Sequence, residues 1–293
     1  MKTLLAAVTA LIASLAAPAP TRAADNKIAL VAAENFYGDV AQQIGGDRVS
    51  VTSVLSNPDQ DPHLFETTPS IVRQISGAQV VIYNGAAYDP WMESILTVTP
   101  EAGRIAIVAA DLMHKKAGDN PHLWYDPDTM PAVATALADA FSAADPTHKA
   151  DYAARLEIFL RSLQPLNDKI AAIRDKYAGT PVTASEPVFG YMAAALKLKM
   201  YDGLFQLAVM NDTEPSAGAF ALFEDDLKMR KVRVLFYNKQ ARNNLVQHLL
   251  DLARISNIPV VPVTETCPSG LPYQEWMLGE LDATEKALAG PNS

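Results

Sequence analysis

The chain has 293 residues, of which 49% are hydrophobic and 19% are charged, and its formal net charge is −9 at pH 7. These values are typical of a globular protein with room for two domains, and they exclude a disordered chain. The negative charge argues against binding to nucleic acid or to an anionic membrane surface, and it is compatible with attraction of cations.

The first 23 residues (1–23) have the pattern of a cleaved secretory signal. Lys2 supplies a positive charge, residues 4–17 form an apolar run, and residues 21–23 offer a small-x-small cleavage site. The apolar run is shorter than the roughly 20 residues that span a bilayer. No cysteine stands near the cleavage point to carry a lipid anchor. We therefore expect a free periplasmic protein.

Residues 25–145 alternate between strand and helix patterns, which predicts an N-terminal α/β lobe. Four apolar strands are expected, at residues 28–33, 49–54, 80–83 and 104–108. The segment between the first two strands has a helical pattern that ends at a Gly-Gly step. A strand, a helix and a second strand in this order favour a parallel βαβ unit.

A long helix is predicted in the middle of the chain, over residues 146–178. Apolar residues recur there at alternating spacings of four and three, which places one apolar stripe on a helix of about 30 residues. Pro165 lacks a backbone N–H and should kink this helix; two shorter helices broken at the proline are the alternative. A second α/β lobe is predicted over residues 179–290, with strands at 182–184, 232–237 and 259–263.

Two of the five histidines stand in Pro-His-Leu steps within loops. His63 lies in the run NPDQDPHLFE and His122 in the run NPHLWYDP. A single histidine of this kind is more often a surface or packed residue than a ligand. Proline fixes the backbone beside each imidazole, however, and a rigid backbone suits a metal ligand. His114, between a methionine and two lysines, is expected to be solvated.

Together, these runs resemble those of the metal-binding solute-binding proteins of ABC importers, the zinc and manganese family. Its members carry an Asp-Pro-His turn early in the chain and an Asn-Pro-His-x-Trp run later. They also have a ligand that is followed, after two residues, by Phe-Gly-Tyr. In the run EPVFGY, Glu186 occupies this ligand position, where zinc-type members have His and manganese-type members have Glu. A carboxylate favoured at a helix start is the structural alternative for Glu186.

The resemblance covers nearly the whole mature chain and implies a fold and a site. It implies an α/β fold of two lobes, each a small parallel sheet flanked by helices, joined by a long backbone helix. The fourth ligand of the family is usually Asp after the last strand, whereas this chain has Glu265. The longer side chain can still reach a metal, or bind it through both oxygens. The implied metal ligands are therefore His63, His122, Glu186 and Glu265, with no catalytic residue.

The chemistry of these four side chains suits one divalent transition metal. Two neutral imidazoles and two carboxylates carry a net charge of −2, which neutralises a dication. The mixture suits Mn²⁺ or Zn²⁺, with Fe²⁺ also compatible, and it is too rich in nitrogen for calcium or magnesium. Cys267 is the only cysteine and cannot form an internal disulfide. A packed or loop residue is its simpler interpretation, and a soft metal ligand is the alternative.

The expected function is capture of a metal ion by a monomeric periplasmic protein and its delivery to an ABC permease in the inner membrane. A metal-dependent hydrolase is one alternative, and an adhesin of the same fold is another. The chain has no His-Glu-x-x-His helix, Gly-x-Ser-x-Gly elbow or phosphate-binding loop. Four protein ligands would also leave little room for a substrate, so we expect no enzyme activity.

Overall fold

The computed structural model describes residues 27–58, 62, 65–211, 213–241 and 243–290. The predicted signal segment and His63 lie outside these residues. Within them, the chain forms two parallel sheets of four strands each. Their strands are β1 (Ile28–Glu34), β2 (Val49–Leu55), β3 (Val80–Tyr83), β4 (Ile105–Val108), β5 (Pro181–Ala184), β6 (Lys199–Met200), β7 (Leu235–Asn238) and β8 (Val260–Val263).

Helices cover both sheets. Within the described residues they are α1 (Asn35–Gly45), α2 (Pro69–Ser76), α3 (Pro90–Val98), α4 (Ala109–Leu112), α5 (Thr129–Ala144), α6 (Lys149–Ser162), α7 (Gln164–Tyr177), α8 (Gly190–Ala195), α9 (Gly203–Met210), α10 (Ala217–Lys228), α11 (Asn244–Ile255) and α12 (Tyr273–Ala289). None of these helices is both long enough and apolar enough to cross a bilayer.

The first sheet has the strand order β2-β1-β3-β4, and every neighbouring pair is parallel. The predicted strands and the βαβ unit are confirmed, with α1 between β1 and β2. Thr68 caps α2, because its hydroxyl accepts a hydrogen bond from the Ile71 N–H at 3.4 Å. Parallel strands point the same way, so the loops that follow β1, β2 and β3 leave from one edge of the sheet.

The second sheet has the order β6-β5-β7-β8 and is also parallel throughout. The sequence predicted three of its strands but assigned no element to residues 199–210, where the structure has β6 and α9. β6 has only two residues, which is too short for a recognisable pattern. α9 has the nearly continuous apolar sequence GLFQLAVM, in which buried Phe205 stands beside the exposed Leu204. Such a run has no visible helical period.

The predicted long helix is divided in two. α6 ends at Ser162 and α7 begins at Gln164, with only Leu163 between them. Pro165 lies in the first turn of α7, where its missing N–H interrupts the helical ladder. Leu163 itself keeps right-handed helical angles, and the Asn167 N–H donates to its carbonyl oxygen at 3.1 Å. In place of the single kinked helix, the structure has two helices separated by one residue, which is the alternative that the sequence left open at Pro165.

One continuous hydrophobic core contains side chains from both sheets. Aromatic rings connect its parts: Phe36 of α1 packs on Trp124 with ring centroids 4.7 Å apart, and Tyr125 contacts Phe189 at 5.5 Å. Phe189 stacks on Phe236 of β7 at 4.4 Å. Trp124 and Tyr125 follow His122 after a single residue in the sequence, so this packing also fixes the segment that carries the histidine.

The close approach of α1 to β2 generates a stability prediction. A Cβ at Gly38 would lie 2.1 Å from the Ser53 hydroxyl oxygen and 3.3 Å from a Val51 methyl group. Gly38→Ala should therefore destabilise the protein by about 1–3 kcal/mol, because the Ser53 hydroxyl would have to turn away and the Val51 methyl group would have to give way. Gly279→Ala, in α12, is the matched control: nothing lies within 4 Å of its added Cβ. The control should gain up to about 1 kcal/mol. Chemical denaturation of both variants is the measurement, and equal effects would contradict the packing described.

Candidate metal centre

Three of the four predicted ligands lie at the edges where the sheets end and their loops begin. Glu186 follows β5, Glu265 follows β8, and His122 lies in the loop between α4 and α5. All three side chains are buried, with exposed fractions of 0% for His122, 4% for Glu186 and 0% for Glu265. The fourth predicted ligand, His63, is outside the described residues.

The ring of His122 is fixed in one tautomer. Its Nδ1 lies 2.6 Å from Oδ1 of Asn120, and the Nδ2 group of Asn120 donates to the carbonyl oxygen of Pro187 at 2.8 Å. Because Oδ1 can only accept, the proton of the neutral imidazole is on Nδ1. Nε2 therefore presents a lone pair, and it has no hydrogen-bond partner among the described residues. A buried nitrogen of this kind is available to bind a cation.

The carboxylate of Glu265 faces this lone pair. Its Oε2 lies 3.6 Å from Nε2 of His122, and it also accepts a hydrogen bond from the Tyr88 hydroxyl at 2.9 Å. Tyr88 comes from the loop after β3, whereas Glu265 follows β8, so the pair joins the edges of the two sheets. Burial, followed by the nearby Glu265 carboxylate, raises the pKa of Tyr88 well above its usual value. The tyrosine therefore remains a neutral donor.

Asn238 connects the two predicted carboxylate ligands. Its Nδ2 donates to Oε2 of Glu186 at 2.8 Å and to Oε1 of Glu265 at 2.5 Å. Its Oδ1 accepts from the backbone N–H of Gln240 at 2.9 Å, which determines which end of the amide faces the acids. Asn238 ends β7, the strand between β5 and β8. The sheet order thus places both acids beside one amide.

The described residues bring these groups together only in part. His122 and Glu265 are in direct proximity, and Glu186 is linked to Glu265 through Asn238. In that part of the chain, no group of three His, Cys, Asp or Glu side chains is arranged to hold a metal ion. Cys267 is buried, and its thiol lies 3.2 Å from the Leu271 carbonyl oxygen. Burial raises its pKa to about 12, which agrees with a packed thiol.

Hydrogen bonds between the two sheets surround the site. The side chain of Asn35, at the start of α1, donates to the carbonyl oxygen of Cys267 at 2.7 Å and accepts from the N–H of the same residue at 3.0 Å. The Tyr125 hydroxyl donates to the carbonyl oxygen of Thr264 at 2.9 Å. These contacts hold the loop that carries Glu265 against the first sheet, on the side where His122 lies.

A second pair of acids is buried at the edge of the first sheet. Neither oxygen of Glu34, the last residue of β1, has a hydrogen-bond partner among the residues described. Burial, together with the nearby Asp89 carboxylate, raises the pKa of Glu34 well above its usual value. Burial also raises the pKa of Asp89 to about 6, although its carboxylate accepts from the backbone N–H groups of Asn84 and Gly85. Both carboxyl groups therefore keep their protons to a higher pH than exposed acids do.

Comparisons with known proteins give the family. The sequence model of the family described as "ZnuA: Zinc-uptake complex component A periplasmic" matches residues 30–287. The chain belongs to this family. Members of the ZnuA family are substrate-binding components of transport systems rather than enzymes, so the assignment favours transport over a hydrolase or an adhesin.

Individual relatives agree with this assignment. The chain is 22% identical over 291 residues to the manganese ABC transporter substrate-binding lipoprotein PsaA of Streptococcus mitis, with 91% of each chain covered. It is 29% identical over 196 residues to the manganese-binding lipoprotein MntA of Bacillus subtilis, covering 62% of this chain and 63% of MntA. Among solved structures, the periplasmic zinc-binding protein TroA of Treponema pallidum has a similar fold, with a TM-score of 0.76 at 17% identity. That alignment covers 89% of this chain and 99% of TroA.

The structure adds site residues that the sequence analysis did not identify. Asn238, Tyr88 and Glu34 are buried polar side chains at or just beyond strand ends. The sequence could have indicated Asn238, because a polar residue directly after an apolar strand lies at the edge where parallel sheets bind ligands. Glu34 had the same signal at the end of β1. Tyr88 had none, since it lies in a loop of no fixed pattern.

The buried pair Glu34 and Asp89 generates a pH-dependent stability prediction. The pKa of Glu34 is higher in the folded protein than in the unfolded chain, where it is near 4.3. The contribution of Glu34 to the free energy of unfolding is therefore complete below that lower pKa, and it is lost as the pH rises. Glu34→Gln removes this titration. Chelator-treated variant protein should melt at least about 2 °C above wild type at pH 8, with a smaller difference at pH 5.

Glu285→Gln is the control for this measurement. Its hydrogen bonds with Lys169 and Lys176 lower the pKa of Glu285, so the carboxylate stabilises the fold at neutral pH. The control should melt below wild type at pH 8. A Glu34→Gln difference that is constant between pH 5 and pH 8 would show that Glu34 does not bind a proton on folding.

Proposed function

We propose that this protein captures one divalent transition metal, Mn²⁺ or Zn²⁺, between its two sheets in the periplasm and delivers it to an ABC permease. The proposed ligands are His63, His122, Glu186 and Glu265. The metal is cargo, so the protein itself needs no catalytic residue. Membership of the ZnuA family and the names of the relatives support the proposal.

One observation carries the proposal: the buried Nε2 of His122 has no hydrogen-bond partner among the described residues, yet it faces a buried carboxylate at 3.6 Å. An unpartnered polar atom in the interior costs free energy unless something binds to it. With the proton held on Nδ1 by Asn120, Nε2 has no hydrogen to offer Glu265. A cation between the two groups would satisfy both at once.

The acidic side chains favour the same conclusion. Glu186 and Glu265 place two carboxylates around one amide in the interior. Like charges in a buried site repel, and a dication removes that repulsion. The two acids come from the second sheet, and His122 comes from the first. A bound ion would therefore link the two halves of the molecule.

Loss of His122 should remove high-affinity metal binding. Titration of chelator-stripped protein with Zn²⁺ or Mn²⁺ should show one equivalent bound by wild type. For His122→Ala the affinity should fall by more than about 100-fold, since a direct ligand contributes more than the 10–100-fold typical of residues that support ligands. His63→Ala should have an effect of the same order.

His248→Ala is the matched control. Nε2 of His248 also lies close to a glutamate, 2.6 Å from Glu224, but this pair is on the surface, where half of the His248 side chain is exposed. The control should bind one equivalent with wild-type affinity. If His122→Ala also kept wild-type affinity, the site proposed here would be wrong.

A further inference from the structure

The start of α8 holds the loop that carries His122. We propose that Gly190 and Tyr191, the first two residues of α8, are positioning residues for the metal centre. They seat Asn120, and Asn120 in turn fixes His122 relative to Glu186. Neither residue is among the proposed ligands, so each would act on the metal through Asn120. This inference rests on the proposed function.

The side chain of Asn120 is held at both ends. Its Oδ1 accepts from the backbone N–H of His122 at 3.1 Å and lies 2.6 Å from Nδ1 of the same residue. Its Nδ2 donates to the carbonyl oxygen of Pro187 at 2.8 Å. The amide therefore joins the imidazole, in the half that contains the first sheet, to the residue after Glu186, in the half that contains the second sheet. Rotation of the amide would break these hydrogen bonds.

Gly190 leaves space for this amide. A Cβ at Gly190 would lie 2.9 Å from Nδ2 of Asn120, which is too close for two heavy atoms that are not bonded to each other. The backbone of Gly190 has ordinary right-handed helical angles, with φ −58° and ψ −46°, so its conformation does not require a glycine. The missing side chain instead allows Asn120 to approach the start of α8.

Tyr191 holds the backbone of the same loop. Its hydroxyl donates to the carbonyl oxygen of Asn120 at 2.8 Å, and the ammonium group of Lys115 lies 5.2 Å from the centre of its ring. Lys115 and Asn120 both belong to the segment between α4 and α5. One tyrosine of the second half therefore contacts two points of the segment that carries His122.

A side chain added at Gly190 could be accommodated in two ways. If Asn120 moves, the imidazole of His122 loses its orientation. If α8 moves instead, the turn that carries Glu186 moves with it. Either displacement disturbs two ligands that a single ion must contact together. Residues that orient ligands typically change metal affinity by about 10–100-fold.

The test is Gly190→Ala, with Gly203→Ala as the matched control. Both glycines are the first residues of helices in the second half of the molecule, but nothing lies within 4 Å of a Cβ at Gly203. In titrations of chelator-treated protein with Zn²⁺, Gly190→Ala should bind about tenfold more weakly than wild type. The control should bind as wild type does. Equal affinities of the two variants would overturn the inference.

A double-mutant cycle separates positioning from general damage to the fold. Apart from neighbours in the chain and the backbone of α8, Nδ2 of Asn120 is the only atom of the described residues within 4 Å of a Cβ at Gly190. In an Asn120→Ala background, Gly190→Ala should therefore cause no further loss of Zn²⁺ affinity. Equal losses in the wild-type and Asn120→Ala backgrounds would show that the substitution does not act through Asn120, and would overturn the inference.

Tyr191→Phe is a milder variant that keeps the aromatic ring. Loss of the hydrogen bond to Asn120 should weaken Zn²⁺ binding by about threefold or more. Tyr201→Phe is its control, because the ring of Tyr201 also lies 5.2 Å from a lysine ammonium group, that of Lys199, within the second half alone. Wild-type affinity in Tyr191→Phe would overturn the inference. If wild-type protein bound neither Zn²⁺ nor Mn²⁺, the proposed function would fail, and this inference with it.

Discussion

Two carboxylates meet in the interior of this protein, and most features of the site follow from that juxtaposition. Glu186 and Glu265 are both buried and both accept hydrogen bonds from a single amide, that of Asn238. Two acids so placed repel each other unless donors or a cation compensate their charge. Tyr88 supplies one more donor, and the lone pair of His122 lies opposite. The arrangement has the composition of a cation site.

Asn120 gives the site its connection to both halves of the fold. Its side-chain oxygen Oδ1 orients His122, while its Nδ2 group donates to the carbonyl oxygen of Pro187, the residue after Glu186. A change in the separation of the two sheets would therefore disturb the orientation of the imidazole as well as its distance from the acids. The shared core and the contacts of Asn35 and Tyr125 resist such a change. We infer that the site is largely preorganised by the fold.

Much of the fold could be predicted, because local pattern and topology agree. Alternating strand and helix patterns predicted seven of the eight described strands and the parallel βαβ unit formed by β1, α1 and β2. The failures have local causes: β6 is too short to show a period, α9 is too uniformly apolar, and Pro165 divides a helix whose apolar stripe continues across the break. Of the predicted ligands, His122 lies beside Glu265, and Glu186 is linked to Glu265 through Asn238. The ligand set itself stays a prediction, with His63 outside the described residues.

The sequence by itself determined the fold class, the family resemblance and the identity of the candidate ligands, because each depends on short runs such as NPHLWYDP and EPVFGY. Only the tertiary structure decided which oxygen of each acid is held and which nitrogen of His122 carries the proton. Those facts depend on Asn238, Asn120 and Tyr88, which reach their partners from other strands and loops. Contacts between residues far apart in the chain arise only when the two sheets pack together, and no local pattern records them.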